Sequence, residues 1–380
     1  MNITCEKERL IDCLGIVGRT VSNRTTLPIL ECVLLTAEDD GLRLTANDLE
    51  MSIETTPVSA EINEPGSVAL DAKLFSEIVR KMPGEYIQIK SDAMNMTECT
   101  SGRACFNITG LPGEEFPVTK PDNPKDNAGG QESPAVAGYT MKARVLKDMI
   151  RQTIFSVATE DTKPILTGEL LQYADGYLSI VAVDGFRISY RREPLESEHG
   201  PVKAVVPAKA LNELSRVLPS DGDEDVIFYF SEKRIVFKLS GFTFISRLLE
   251  GDFIRYDQIY NEDFSTIVTT ERVPLLTGFE RACLIAGVNK KPPVRIEIKD
   301  DAIVITSNTE IGRSYDEVSC DIDGKDIEIA FNPRYLIEAL RAIDEEKVVL
   351  RFTTPLSPCI LRGVESDAYK YLILPLRMRN

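Results

Sequence analysis

The 380-residue sequence predicts an α+β protein built from three copies of one domain. Two observations support this prediction. One amphipathic helix pattern occurs three times, about 130 residues apart, which is the size of a whole domain. Each copy also follows a strand–turn–strand pattern. The three helices read "DAKLFSEIVRKMP" at 71–83, "PAKALNELSRVLP" at 207–219 and "NPRYLIEALRAID" at 332–344.

Each copy of the repeat has the same order of predicted elements. A helical stretch comes first, then a hairpin, then the amphipathic helix and finally two further strands. The hairpins show an apolar strand, an acidic or glycine turn and then an alternation such as Leu178-x-Ile180. The helical stretches of the three copies are at 6–20, 142–158 and 272–287. The hairpins that follow them are at 27–54, 163–190 and 292–318.

The repeats predict three domains, at 1–128, 138–260 and 261–380. The segment at 119–138, "TKPDNPKDNAGGQESPAVAG", is rich in Pro, Gly, Asn and Asp. We therefore expect an exposed linker between the first two domains.

The repeated helix has two distinct faces. At about 100° per residue, places 5, 8, 9 and 12 form one apolar stripe that should pack on a sheet. A base at place 3 and an arginine at place 10 lie on the opposite face in every copy. These bases are Lys73, Arg80, Lys209, Arg216, Arg334 and Arg341. The stretch at 142–151 adds Lys142, Arg144, Lys147 and Arg151.

Two interpretations of the basic faces remain open. In the first, each is a solvated helix face with Lys/Arg–Glu pairs. In the second, domain duplication has repeated the same geometry, so that all these faces lie on one side of an assembly. The net charge of −16, from 44 bases and 60 acids, argues against binding nucleic acid by bulk charge. It does not exclude a local basic surface.

The sequence lacks the patterns of most other protein classes. No run of 18 apolar residues predicts a membrane span, and the start, "MNITCEKERL", lacks an apolar signal core, so we expect a cytoplasmic protein. Eight cysteines form no CxxC pair, which predicts reduced and mostly buried thiols. The single His199 lies in a polar loop, and neither GxxxxGK nor GxGxxG follows a strand. We expect no enzyme, no metal and no cofactor.

Five motifs resemble the bacterial DNA polymerase III beta subunit family, the sliding clamps. They are "TLPIL" at 26–30, "LTANDLEM" at 44–51, "VDGFR" at 183–187, "FNPRYL" at 331–336 and "YLILPLRM" at 371–378. The resemblance covers essentially the whole chain in order. It implies three clamp domains per chain and a head-to-tail homodimeric ring around double-stranded DNA, with helices lining the interior and β-sheets outside. The alternative is a non-catalytic repeat scaffold or an adhesion-type binding protein that does not encircle DNA.

The resemblance implies three functional surfaces. The first contacts DNA without regard to sequence, and Arg24 in "SNRTTLP" matches a DNA-touching loop of the family. We expect the DNA-facing residues to be Arg24, Lys73, Arg80, Lys142, Lys147, Arg151, Lys209, Arg216, Arg334 and Arg341. The second surface joins two copies of the chain, with Phe106 and Ile108 in the first domain and Leu284 and Ile285 in the third.

The third implied surface is a groove for short linear peptides from the replicative DNA polymerase, the clamp loader and repair proteins. Its expected residues are Leu166, Gly185, Phe186, Arg187, Ile188, Ile254, Ile259, Asn332, Tyr335, Leu356, Leu372, Ile373, Leu374, Pro375, Leu376 and Arg377. This sequence departs from the family at Val183, Phe186, Ile254, Gln258 and Lys291, where relatives commonly carry Thr, His, Pro, Arg and Phe. The rim of the groove is therefore expected to prefer a different peptide.

Overall fold

The computed structural model describes residues 1–22, 25–119, 138–160, 163–256, 263–286 and 293–377. The chain divides into two compact units. The first unit comprises Met1–Arg144 and Lys209–Leu248, and the second comprises Val145–Ala208 and Leu249–Asn380. The predicted boundaries at 128 and 260 lie outside the described residues and stay predictions.

Six α-helices and 26 strands form in the described parts of the chain. The helices are α1 (Lys7–Val17), α2 (Ala72–Lys81), α3 (Ala143–Arg151), α4 (Ala208–Val217), α5 (Arg272–Ala286) and α6 (Pro333–Ala342). The strands are β1 (Asn2–Glu6), β2 (Cys32–Glu38), β3 (Gly41–Asn47), β4 (Met51–Thr55), β5 (Ala60–Glu64), β6 (Gly66–Asp71), β7 (Tyr86–Ser91), β8 (Met96–Ser101), β9 (Ala104–Thr109), β10 (Leu111–Pro112), β11 (Tyr139–Lys142), β12 (Gly168–Ala174), β13 (Tyr177–Val183), β14 (Arg187–Pro194), β15 (Val202–Pro207), β16 (Asp225–Phe230), β17 (Arg234–Lys238), β18 (Phe242–Arg247), β19 (Thr266–Glu271), β20 (Val294–Lys299), β21 (Ala302–Thr309), β22 (Gly312–Gly324), β23 (Ile327–Phe331), β24 (Lys347–Phe352), β25 (Cys359–Gly363) and β26 (Tyr369–Ile373).

The strands form three antiparallel sheets. The first unit holds a sheet of order β5-β1-β7-β8-β9 and a longer sheet of order β10-β6-β2-β3-β4-β18-β17-β16-β11. The second unit holds one sheet of order β15-β12-β13-β14-β26-β25-β24-β19-β22-β21-β20-β23. The predicted order of helix, hairpin, helix and strands occurs three times along the chain, so the α+β fold class is confirmed.

The predicted hairpins form at turns that suit their residues. Asp175 and Gly176 have φ of 52° and 78°, and Asp300 and Asp301 have φ of 51° and 56°. These left-handed conformations match the right-handed twist of the flanking strands, and Asp and Gly adopt them at low cost. The helical stretch predicted at 142–158 ends earlier, at Arg151. There the Thr153 hydroxyl donates to the Met149 carbonyl at 2.8 Å, which satisfies a helix-terminal acceptor.

The repeated helices α2, α4 and α6 bury the predicted stripe. All members of the stripe are buried except Ser215, which is half-buried and donates to the Asn212 carbonyl at 2.9 Å. Side chains also fix two helix starts, since Asp71 accepts from Leu74 N at 2.7 Å and Asn332 accepts from Arg334 N at 3.1 Å. The buried stripe turns the opposite face of each helix to solvent.

Two further expectations concern cysteines and membranes. All eight cysteines are free, and only Cys105 is exposed, which confirms mostly buried thiols. No helix in the described part of the chain has the length and hydrophobicity needed to cross a membrane.

Candidate DNA-facing helices and partner groove

The bases on the repeated helices are exposed, as their places in the repeat predict. All six residues at places 3 and 10 are exposed, and so are Lys142 and Arg151, whereas Lys147 is half-buried. Arg24 lies outside the described residues. The six bases at places 3 and 10 are exposed because the helical period puts these places opposite the buried stripe.

Most of these bases form ion pairs with carboxylates. The pairs are Lys142–Asp225 at 3.0 Å, Arg151–Asp148 at 3.3 Å, Arg151–Asp344 at 2.7 Å, Lys209–Asp48 at 2.5 Å, Arg216–Glu213 at 3.0 Å, Arg334–Glu338 at 2.7 Å and Arg341–Glu280 at 2.6 Å. Pairs on the surface contribute only about 0–1 kcal/mol each, so a base can exchange its carboxylate for another anion. Lys73 and Arg80 have no ion pair with any residue that the structure describes.

We use the name partner groove for the surface of the second unit around Leu166, Phe186, Arg187, Tyr335 and the tail that follows β26. Its floor is an apolar cluster in which side chains from seven segments meet. The cluster contains Leu166, Leu170, Val181, Val183, Ile188, Val205, Phe253 and Leu372, and Ile254 packs against it.

The tail crosses this surface because β26 ends before Pro375. Leu374 N donates to the Phe186 carbonyl at 2.9 Å, and Leu376 N donates to the Ala330 carbonyl at 2.8 Å. Proline has no N–H and cannot extend the ladder between these two bonds. Leu374 keeps 38% of its surface exposed, so an apolar side chain remains at the rim.

Arg187 is buried beneath the rim and is held on several sides. Its Nε donates to Asp184 Oδ2 at 2.9 Å and its Nη1 donates to Glu338 Oε2 at 2.5 Å, while Nη2 donates to the Phe155 carbonyl. The guanidinium also lies 4.5 Å from the centre of the Tyr335 ring, a cation–π contact. A fixed arginine of this kind positions the aromatic ring above it.

Phe186 and Tyr335 form the aromatic part of the rim. Their ring centres are 6.4 Å apart and their ring planes are nearly parallel. Phe186 is 55% exposed. Burial, together with the Asp184 carboxylate, raises the pKa of Tyr335, so this phenol stays neutral. Gly185 has φ of 89°, a conformation that favours glycine at the turn before Phe186.

Some expected groove residues do not join the others. Ile373 lies on the opposite face of β26 from Leu372, because side chains alternate along a strand, and it packs in the larger core cluster of the second unit. Leu356 lies in an exposed turn with 77% of its surface accessible. Ile259 lies outside the described residues. Sequence reasoning missed Asp184, Phe155 and Glu338 as supports of Arg187, although Glu338 stands at place 7, where every copy has Glu.

The expected dimer residues are not ordinary core residues. In the first unit, Phe106 is 42% exposed on β9, and Ile108 on the same strand is half-buried. Strand β9 pairs only with β8 among the described strands, so its other edge is open. In the second unit, Leu284 is 78% exposed on α5, and Ile285 is half-buried.

A second open strand edge was missed by the sequence analysis. Residues 312–318 of β22 pair with β21, while β19 pairs with the later residues 320–324. Ile311 and Tyr315 on this part of the chain are 77% and 67% exposed. Open apolar edges are places where another chain can add a strand.

Comparison with known proteins identifies the family. The models for the N-terminal, central and C-terminal domains of the DNA polymerase III beta subunit match residues 1–120, 140–254 and 258–377. The chain belongs to the DNA polymerase III beta subunit family. The beta sliding clamps of Staphylococcus epidermidis and Staphylococcus aureus are each 32% identical to it, over 99% of both chains.

Solved structures of the family have the same fold. The DNA polymerase sliding clamp from Bacillus subtilis superposes with a TM-score of 0.92 at 32% identity, covering 100% of each chain. The beta subunit from DNA polymerase of Streptococcus pyogenes gives a TM-score of 0.91 at 28% identity, again over 100% of each chain. The resemblance stated from the five motifs is therefore confirmed.

Proposed function

We propose that this chain is a DNA sliding clamp, a non-catalytic processivity factor of the cytoplasm. Two copies close into a ring around duplex DNA, and partner proteins attach to it by short peptides. The observation that carries the proposal is the helix that occurs three times with its apolar stripe buried and its two bases exposed. Family membership supports it, and a scaffold that does not encircle DNA has no need of a basic face in every copy.

The ion pairs on these helices suit a ring that slides. Contacts between bases and phosphates are independent of sequence and weaken as salt rises. Because Arg216, Arg334 and Arg341 each have a carboxylate nearby, phosphate contact replaces one weak pair by another. The ring then holds DNA by topology, while individual contacts remain weak enough to move.

The partner groove suits a peptide with apolar anchors. Leu166, Ile188 and Leu372 supply an apolar floor, and Arg187 and Asn332 supply fixed polar groups. Such a combination gives affinity through burial and register through a few hydrogen bonds. Polymerase, clamp loader and repair proteins are the proposed sources of the peptides.

The experiment that tests encirclement compares two forms of DNA. The protein is loaded by a clamp loader onto nicked circular DNA and onto the same DNA made linear, and its retention is measured by gel filtration. A ring stays on the circle and runs off the open ends. Equal loss from both forms would contradict the proposal. A protein that binds both forms without a loader, and leaves neither, would be held by affinity for DNA and not by encirclement.

A further inference from the structure

The apolar floor of the partner groove continues across the sheet to an arginine. Leu372 in the floor lies directly opposite Ile360 on β25, and Ile360 lies directly opposite Arg351 on β24. Directly opposed residues of an antiparallel sheet have their side chains on the same face. Arg351 is therefore on the groove side of the sheet, two strands from Leu372, or about 10 Å at about 4.8 Å per strand.

Arg362 is a second arginine on this face. It follows Ile360 by two positions on β25, and because side chains alternate along a strand, both lie on the same side of the sheet. Arg351 and Arg362 each keep part of their surface accessible. Burial lowers the pKa of Arg362, and so does the charge of Arg351, against a smaller opposing effect of Glu345. The two guanidinium groups are thus close enough to repel each other.

The described chain supplies one carboxylate for these two guanidinium groups. Asp367 pairs with Arg362, whereas Arg351 has no ion pair with any described residue and lies over the Phe264 ring, 5.3 Å from its centre. Asp323 is on the same face but two strands from Arg351, about 10 Å away, which is too far for an ion pair. The Nε atoms of both arginines are buried without an acceptor in the described structure. An added carboxylate would therefore be stabilised at this pair.

We propose that Arg351 and Arg362 select peptides that carry an acidic residue about three positions beyond an apolar anchor in the partner groove. An extended chain covers about 3.3 Å per residue, so three residues span the roughly 10 Å from Leu372 to Arg351. The acidic side chain pairs with the two guanidinium groups, and Ile360 supports the residues between anchor and acid. The inference rests on the proposed function, because it assigns a charge preference to the peptides of the partner groove.

Three labelled peptides test this preference with the full-length protein. Each contains the polymerase-derived sequence, extended beyond its apolar anchors at both ends by two glycines and then two aspartates, two serines or two lysines. Extending both ends makes the result independent of the direction in which the peptide lies. Fluorescence anisotropy gives the affinities at low and at high salt. We expect the aspartate peptide to bind at least about threefold more tightly than the serine peptide and the lysine peptide more weakly, with both differences shrinking as salt rises.

Two double variants locate the selection. Arg351→Gln with Arg362→Gln should bring the affinity for the aspartate peptide to that for the serine peptide. Lys90→Gln with Lys233→Gln is the matched control, because it removes the same charge from exposed positions of the first unit and should keep the full difference. The single variant Arg351→Gln leaves the pair of Arg362 with Asp367 intact and should lose part of the difference. Thermal unfolding checks that each variant folds.

Two outcomes would overturn the charge preference. In one, all three peptides bind the unaltered protein equally. In the other, the aspartate peptide keeps its advantage in the double arginine variant. Failure of the proposed function gives a different result, in which even the serine peptide, which retains the apolar anchors, does not bind. That result would count against the partner groove and the charge preference together.

Discussion

Glu338 accepts a hydrogen bond from Arg187, with 2.5 Å between Oε2 and Nη1. Its other oxygen, Oε1, accepts from Arg334 Nε at 2.7 Å. One carboxylate on α6 therefore links a buried arginine of the partner groove to an exposed base proposed to face DNA. Only 8% of the Arg187 side chain is exposed, compared with 73% of Arg334, so the inner pair is shielded from solvent and the outer pair is not.

The first prediction concerns this carboxylate. Glu338→Ala removes one partner of a buried charge, so we expect the free energy of unfolding to fall by about 1–3 kcal/mol. The affinity for a polymerase-derived peptide should fall as well, because Arg187 no longer holds its place against Tyr335. Glu280→Ala is the matched control, since it breaks an exposed pair between Glu280 on α5 and Arg341 on α6. Wild-type peptide affinity in Glu338→Ala would contradict the positioning role.

The second prediction concerns the tail. Deleting residues 374–380 removes the bonds of Leu374 to Phe186 and of Leu376 to Ala330, and should abolish peptide binding while the dimer persists. A shorter deletion, of residues 378–380, keeps both bonds and should bind normally. Leu166→Asp should also abolish binding, because it places a charge in the apolar floor. Calorimetric titration measures all three, and normal binding by the longer deletion would place the peptide site elsewhere.

The third prediction concerns assembly. Leu284→Asp together with Ile285→Asp should yield a folded monomer at micromolar concentration, because charges would enter an interface that must be desolvated. Val273→Asp is the control, since Val273 is on the same helix and is 54% exposed. Sedimentation equilibrium measures the mass, and circular dichroism confirms folding. A double variant that remains dimeric would show that α5 is not part of the interface.

The local structure could be predicted because it follows from the sequence period. Leu211 and Leu214 are buried while Lys209 and Arg216 are exposed, as the helical repeat of 3.6 residues requires. The hairpins could be predicted in the same way, because apolar residues alternate along the strands and acidic residues or glycines mark the turns between them.

The long-range contacts could not be predicted. Asp344 is 193 positions from Arg151, and Asp48 is 161 positions from Lys209. No local pattern marks such pairs, since they depend on how distant strands and helices pack. The burial of Arg187 is a similar case, because an arginine in "VDGFR" ordinarily predicts an exposed side chain.

The fourth prediction concerns DNA. Lys73→Gln with Arg80→Gln should reduce the slope of log affinity against log salt by about 0.9 for each lost phosphate contact. These two bases give the simplest test, because their removal leaves no carboxylate unpaired among the described residues. Arg295→Gln with Lys299→Gln removes the same charge from strand β20 and should leave the slope unchanged.

A second pair of substitutions extends this test to the loop. Arg24→Glu with Arg151→Glu should weaken loading onto DNA and leave the dimer intact, because two repulsive charges then face the phosphates. Loading is measured with the clamp loader on nicked circles, and the mass of the variant by sedimentation. Unchanged loading would argue against this face of the helices as the DNA-facing side.

The fifth prediction concerns pH and a buried acid. Glu169 on β12 is fully buried, and burial raises its pKa from 4.5 to about 8, against a smaller opposing effect of the Thr153 side chain. Between these values the unfolded chain releases a proton that the folded chain keeps, so Glu169 lowers stability as pH rises from about 4.5 to about 8. Glu169→Gln should therefore gain stability over the unaltered protein by up to about 1.4 kcal/mol per pH unit in this range, and no more above it.

Urea unfolding from pH 5 to 9 measures the difference, with exposed Glu61→Gln as control. A constant difference across this range would show that Glu169 is ionised in the folded protein.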